Sequence, residues 1–266
     1  MACANCFGTS KLRAVLSSNI PFYLISTAVF FVSWDCLASA GLLGLPRVFG
    51  VLKYLWVLTF DPLAGLGLFG HIWASLHRVL LGFVLAVGIG VPLGFFMATN
   101  PFVDAIVGPV FTLLKPMPPI AWISLAILWF GIGEQSKVFL ILIGTVIPCI
   151  INSYNGIRLV DPGLYDVIRM LGGNKRDEAF QVMLPASFPS IFAGIQLALS
   201  MAWTCVVAAE LIASRSGMGF IIIMGMNISS SEQIFGGIII IAIVGWFLAI
   251  LLGQLERFLC PWKREI

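Results

Sequence analysis

Several continuous apolar stretches, near or above 20 residues long, constrain this chain more than any other feature. A helix rises about 1.5 Å per residue, so about 20 residues cross the roughly 30 Å hydrocarbon layer of a bilayer. Within that layer each backbone N–H and C=O must find a partner inside the protein, and a helix supplies its own. The stretches do not alternate apolar and polar residues as barrel strands would, so helical spans are expected. The chain is 60% hydrophobic and 10% charged, with a mean hydropathy of +1.04, more apolar surface than a soluble domain of this size could cover. A net charge of +3 is too small to point to nucleic acid.

Six spans are expected, at about 21–43, 72–99, 102–130, 137–151, 189–213 and 234–255. After the first, Leu45-Pro46 opens a connector with Arg47 and Lys53, and its Val48, Val51, Leu52, Leu55 and Trp56 suit a helix lying in the membrane interface. In the second span, Gly88, Gly90 and Gly94 let another helix approach closely, and Asn100-Pro101 ends it. The third run is too long for one straight span, and Pro116-Met117-Pro118-Pro119 either kinks it or brings part of it to the surface. Residues 214–233 mix Gly, Ser and apolar residues, as a re-entrant or interfacial segment or a simple loop would.

Other polar residues are read in place. Asp35, inside the first span, is a partner for Arg78 or a snorkelling residue. His71 and His77, six apart, lack the helical spacing of a metal pair and read as interfacial. Cys3 and Cys6 form a lone CxxC with no second pair, so neither a metal centre nor a disulfide framework is expected. No basic stretch is followed by a compact apolar run and cleavage site, so no removable signal peptide is expected.

With six spans, one side of the membrane collects Lys11, Arg13, Arg158, Arg169, Lys175, Arg176, Arg257, Lys263 and Arg264, nine basic residues. The other collects four, Arg47, Lys53, Lys137 and Arg215. Positive charge stays inside, which puts both termini in the cytosol.

On that same side lies the longest charge-bearing interval, 152–185, NSYNGIRLVDPGLYDVIRMLGGNKRDEAFQVMLP. Tyr165, Ile168 and Leu171/Gly172 recur at helical spacing, with Asp166 and Arg169 on the back. Asp161-Pro162 is a helix start, Gly172-Gly173-Asn174 a stop, and a second turn from Lys175 to Val182 precedes Pro185. A short helix between membrane spans, on the cytosolic side, is a docking element in form. The plainer reading is an ordinary basic loop.

This interval resembles the cytoplasmic signature loop, the EAA motif, of permease subunits of bacterial ATP-binding cassette (ABC) importers. The family pattern is Glu-Ala-Ala, three residues, Gly, nine residues, Ile, one residue, Leu-Pro. Here Leu184-Pro185 fixes the Gly at Gly172, puts Val182 in the Ile position and lays the triplet on Asp166-Val167-Ile168, a looser match. Other stretches are similar to the branch serving sulfonates, taurine, nitrate and bicarbonate, including Trp73 to Phe83, Lys115 to Trp122, Trp129 to Lys137, and Ala208-Ala209-Glu210-Leu211-Ile212. The likeness covers roughly residues 34–257.

The resemblance implies an all-α integral membrane protein of about six transmembrane helices with the type I ABC importer permease fold. Residues 1–20 form a cytoplasmic lead, 21–257 the permease domain with its coupling loop at 155–185, and 258–266 a cytoplasmic tail. It implies a homodimeric pore in the bacterial inner membrane, two cytosolic ATPase subunits, and a periplasmic or lipid-tethered solute-binding protein. The transported solute is then a small anion, with a vitamin precursor or aromatic acid as the alternative. The chain has no P-loop, so it is not an enzyme and holds no cofactor. ATP and Mg belong to the partner.

Asp166, Arg169, Gly172, Lys175 and Arg176 are the expected ATPase-docking set, although the three basic residues serve equally as positive-inside anchors. Ser200, Trp203, Val207 and Glu210 are spaced three, four and three, so Trp122, Ser200, Trp203, Thr204 and Glu210 are the expected translocation path. Glu210 is an odd wall for an anion, and hydrogen bonding within the bundle or gating near the outer end are its other readings. Arg78 and Lys115 could attract an anion, and Trp122 and Trp203 could equally be packing residues. A stand-alone secondary transporter or channel is the rival from another class. It predicts matching halves, and no internal repeat is present. An intramembrane enzyme lacks paired carboxylates, HExxH or GxSxG.

Overall fold

The structure, a computed structural model, describes residues 20–41 and 44–260. Lys11, Arg13, Lys263, Arg264 and the CxxC at Cys3 and Cys6 lie outside the described residues. All its regular elements are helices: α1 Ile20–Ser39, α2 Val48–Phe60, α3 Leu68–Thr99, α4 Pro101–Leu114, α5 Ile123–Phe130, α6 Glu134–Arg158, α7 Pro162–Met170, α8 Leu184–Ala213, α9 Met218–Asn227 and α10 Ser231–Leu259.

Helices α3, α6, α8 and α10 are each long and apolar enough to cross a bilayer. The pair Pro101–Leu114 and Pro119–Phe130 is apolar enough to cross when taken together, and it is bent by 92° at the proline cluster, as a broken span or a re-entrant segment would be. The expected break is therefore a sharp turn at Pro116 to Pro119. Each proline lacks an N–H, and Pro116, Pro118 and Pro119 together leave the helix no ladder to continue. Helix α1, 20 residues long with Asp35 as its one charge, has the length of a sixth span.

The bundle centres on α6. Helix α3 runs parallel to it along a glycine seam. A Cβ on Gly82 would lie 2.6 Å from Ile141, one on Gly90 2.7 Å from Cys149, and one on Gly94 2.6 Å from the Ile150 carbonyl. Gly88 has open space around it, so the close approach uses Gly82, Gly90 and Gly94 rather than Gly88. Helix α8 runs antiparallel on the other side of α6, with Gly144 against Cys205 and Gly156 against Ser190. Val79, Ile141, Leu199, Ala202, Cys205 and Val206 form the core where the three helices meet. Tight packing of small residues replaces the hydrophobic drive that lipid removes.

Two further elements differ from expectation. The fourth span extends over Glu134–Arg158, beyond 137–151 at both ends. The fifth begins at Leu184, not near Pro189, and a π turn at Glu178–Met183 joins it to Lys175–Asp177 in one 38-residue rod, Lys175–Ile212. Pro185 lies inside that rod, just past the π turn, so it does not end the loop. The segment 214–233 holds α9, whose Met218, Ile221 and Ile222 are buried against α10 and α2.

Candidate functional site

Two polar sites stand at opposite ends of the bundle. At one end, Asp161 accepts a hydrogen bond from Gly163 N–H at 2.8 Å and starts α7, with Pro162 in the first turn. The helix stops at Gly172, whose φ of +82° is a left-handed conformation that glycine adopts freely. Gly173 N–H donates to the Ile168 carbonyl and Gly172 N–H to the Arg169 carbonyl, the paired bonds of a left-handed helix stop. Asn174 and Asp177 then form a reciprocal capping box that opens the 38-residue rod. Arg169 Nε donates to Glu178 Oε1 at 2.7 Å and clasps α7 to the start of that rod.

The expected docking residues fall together on this end. Asp166, Arg169, Gly172, Lys175 and Arg176 are all exposed, and nothing lies within 4 Å of a Cβ built on Gly172. Tyr165 and Ile168 are half-buried, as an inward apolar edge requires, but Leu171 points outward. Polar residues alone were expected at the contact. The structure adds an apolar patch of Leu159, Val167, Met170 and Leu171, the last two 86% and 80% exposed. Helical spacing in the sequence sets Leu171 on the inward edge with Tyr165 and Ile168 and leaves Leu159, Val167 and Met170 unassigned. A contiguous exposed apolar patch marks a protein or membrane contact.

At the opposite end lies an ionic knot, buried except for the exposed Glu134, that sequence spacing did not reveal. His71, Ser75 and Arg78, at i, i+4 and i+7, share the inner face of α3. Arg78 is bidentate to Glu134, with Nε to Oε2 at 2.5 Å and Nη2 to Oε1 at 2.8 Å. Its Nη1 donates to Glu210 Oε1 at 2.6 Å and to the Ser216 carbonyl at 2.9 Å. Lys137 Nζ donates to Glu134 Oε1 and to Ser214 Oγ. Glu210, fully buried, also accepts from Ser75 Oγ and from Gly219 N–H. Met218 N–H donates to Ser75 Oγ.

His71 completes the knot. Its Nδ1 accepts from Gly217 N–H at 3.1 Å, so Nε2 carries the proton and donates to the Leu63 carbonyl at 3.0 Å. It is buried and stacks on Phe220, not interfacial as expected, whereas His77 is exposed. Two cations and two carboxylates balance, which is how charges survive inside a bundle. Arg78 takes Glu134 and Glu210 as partners, and Asp35 is exposed on α1.

The remaining path candidates do not share one face. Ten residues at about 100° each carry Glu210 about 80° from Ser200, enough to turn it inside. Ser200 and Thr204 are exposed on α8, and their hydroxyls return to the carbonyls of Gln196 and Ser200. Trp203 is half-buried, donates to the Ile241 carbonyl at 2.9 Å and packs on Gly245, closing α8 on α10. Ser200 and Trp203 line one wall of a cavity of about 620 Å³ between those helices. Trp122 is half-buried at the break of the bent span.

This architecture defines a polytopic helical membrane protein with a loop helix presented at one end and a neutralised ionic lock at the other. Residues 90–265 match the family of binding-protein-dependent transport system inner membrane components, and the chain belongs to that family of permease subunits. It is 37% identical over 246 residues to a Bacillus subtilis (strain 168) protein assigned as an aliphatic sulfonates transport permease, SsuC, covering 91% of this chain and 87% of that one. It is 32% identical over 260 residues to the taurine transport system permease protein TauC of Escherichia coli (strain K12), covering 96% and 94%. Identity to the nitrate import permease protein NrtB of Synechocystis sp. is 32% over 263 residues, covering 96% and 95%. Among solved structures, an inward-facing MetNI methionine ABC transporter shares the fold at a TM-score of 0.61 and 16% identity, over 70% of this chain and 92% of that one. An amino acid ABC transporter matches at a TM-score of 0.59 and 15% identity, over 81% and 98%. The chain therefore has the fold of ABC importer permeases and is a translocation component.

Proposed function

We propose that this chain forms, as a homodimer in the bacterial cytoplasmic membrane, the pore of an ATP-driven importer of a small anion. The solute belongs to the sulfonate and taurine, nitrate or bicarbonate class, and the named relatives are permeases for aliphatic sulfonates, taurine and nitrate. Two cytosolic ATPases hold ATP and Mg and seat on α7 through Asp166, Arg169, Gly172, Lys175 and Arg176 together with Val167, Met170 and Leu171. A solute-binding protein docks at the opposite, knotted end. Both termini and the loop face the cytosol, the side that nine basic residues select over four. The observation that carries this reading is the exposed apolar patch on α7, beside a glycine stop open on its outer side and clasped to a helical rod through the membrane.

In this mechanism ATP-driven closure of the ATPases displaces α7. The Arg169–Glu178 clasp and the Asn174 capping box pass the displacement to α8 as a rigid body. Rocking of two copies then opens the pore alternately to either side, with Ser200, Thr204 and Trp122 toward the path. Trp203 and Glu210 hold its walls from behind.

Proteoliposomes carrying this chain, its ATPase and its solute-binding protein test the reading against taurine, nitrate and bicarbonate. Uptake of at least one of these that requires both ATP and the binding protein is expected. Uptake by the chain alone would make it a secondary transporter or channel and contradict the importer reading.

A further inference from the structure

Among the described residues, the charges inside α3, α6 and α8 meet opposite charges. Arg78 and Lys137 meet Glu134 and Glu210 in the knot, and Arg158 meets Asp104 at 3.7 Å. Lys115, at the end of α4 where the bent span breaks, has no ion-pair partner among the described residues. It lines a cavity of about 230 Å³ between α3, α4 and α6, with Asp104, Thr112, Tyr154 and Asn155. Ile150 and Ile151 share that lining, which places Lys115 about 11 Å inside the Arg158 end of α6 at helical rise. An ionisable group at such a depth faces a cavity with a purpose more often than it faces lipid.

The other polar groups of this cavity are largely committed. Tyr154 donates its hydroxyl to Asp104 Oδ2 at 3.1 Å, and the Arg158 guanidinium lies 4.9 Å from the Tyr154 ring centre. Thr112 Oγ1 donates to the Gly108 carbonyl. Asp104 stands near the start of α4 and Lys115 just past its end, about 16 Å apart along the helix, too far to pair. The Lys115 ammonium and the Asn155 side-chain amide are the donors left without a partner among the described residues. The lining holds one cation, Lys115, and one carboxylate, Asp104; Arg158 pairs with Asp104 from outside the lining, so the three groups together carry a charge of +1. The cavity's volume falls below the roughly 300–1,000 Å³ of pockets that take drug-sized ligands, a size for a small ion.

We propose that this cavity is a binding site for a small oxyanion, a sulfonate or nitrate, held by Lys115 Nζ and Asn155 Nδ2 near the cytosolic end of the path. The assignment rests on the importer reading and deepens it. The knot, being neutral, offers an anion nothing, and the site gives the released solute a last stop before the cytosol. The competing use of Lys115 is snorkelling to lipid headgroups, which is indifferent to which anion is present.

The test is thermal unfolding of the detergent-solubilised complex of this chain with its ATPase, in sodium nitrate or sodium ethanesulfonate against sodium chloride at equal ionic strength. A ligand that binds only the folded state raises Tm. The expected result is a rise with at least one anion for the wild type and for Lys115→Arg. Lys115→Gln is expected to keep its Tm in chloride while the anion concentration for half the shift rises at least tenfold. Asn155→Ala, at an exposed position, is expected to weaken the shift and covers the case in which Lys115→Gln fails to fold. No shift in the wild type, or an undiminished shift in either Lys115→Gln or Asn155→Ala, overturns the site. Failure of the wild-type chain to co-purify with its ATPase strikes the importer reading instead, before any anion is added.

Discussion

Arg78 is 2% exposed and divides its guanidinium between Glu134 and Glu210, so removing one partner strands a charge inside the bundle. Breaking a buried pair costs on the order of 3–5 kcal/mol, much of it the penalty on the group left behind. Arg78→Met, which leaves the buried Glu210 without its guanidinium, is therefore expected to destabilise the protein by about 3 kcal/mol, and Glu210→Met, which leaves Arg78 on Glu134, by less. The double variant is expected to lose well under the sum, because neither charge is then stranded. Thermal unfolding in detergent measures this, and strict additivity would contradict the knot as one unit. Gly217 belongs to the same unit. Its φ is +117°, and a Cβ there would overlap the Glu210 carboxylate, so backbone freedom and close approach both require glycine.

Among the elements, the proposed mechanism requires α7 to move together with α8. Arg169 and Glu178 make that connection across the glycine turn. Arg169→Ala and Glu178→Ala are each expected to lower uptake per ATP hydrolysed several-fold while the ATPase still binds, and the charge swap Arg169→Glu/Glu178→Arg to restore part of it. Coupled uptake and hydrolysis measured in the same proteoliposomes decide it. Equal loss of both activities would assign Arg169 to docking alone.

The ends of α7 were legible in the sequence because capping is local: Asp161-Pro162 and Gly172-Gly173 set them within a few residues. The Asn174 to Asp177 cap was equally local and was read as part of the stop. The ionic knot was not legible, since Ser75 and Glu210 meet across 135 residues and only the packing of α3 on α6 and α8 brings them together. Helical spacing put Glu210 on the path face, and the drift of 3.6 residues per turn over ten residues turned it inside. The glycine seam was half legible. Small residues marked α3, but which of them faced α6 depended on a register that one sequence does not contain.

For the molecule as a whole, the paired charges among the described residues gather at the two ends, with Lys115 unpaired between them. That division suits a machine pushed at one end and loaded at the other. The central claim is that an ATPase pushes at α7. It is tested most directly by co-purifying the tagged chain with its ATPase, comparing wild type, Gly172→Ala and Gly172→Trp. Both variants give up the left-handed glycine at a cost of about 1 kcal/mol, and a Cβ there meets no neighbour within 4 Å. Only Gly172→Trp places a large side chain in the open space where the ATPase would sit. A stoichiometric complex with wild type, retained by Gly172→Ala and lost by a folded Gly172→Trp, is the predicted result. A Gly172→Trp chain that binds the ATPase as the wild type does would contradict it.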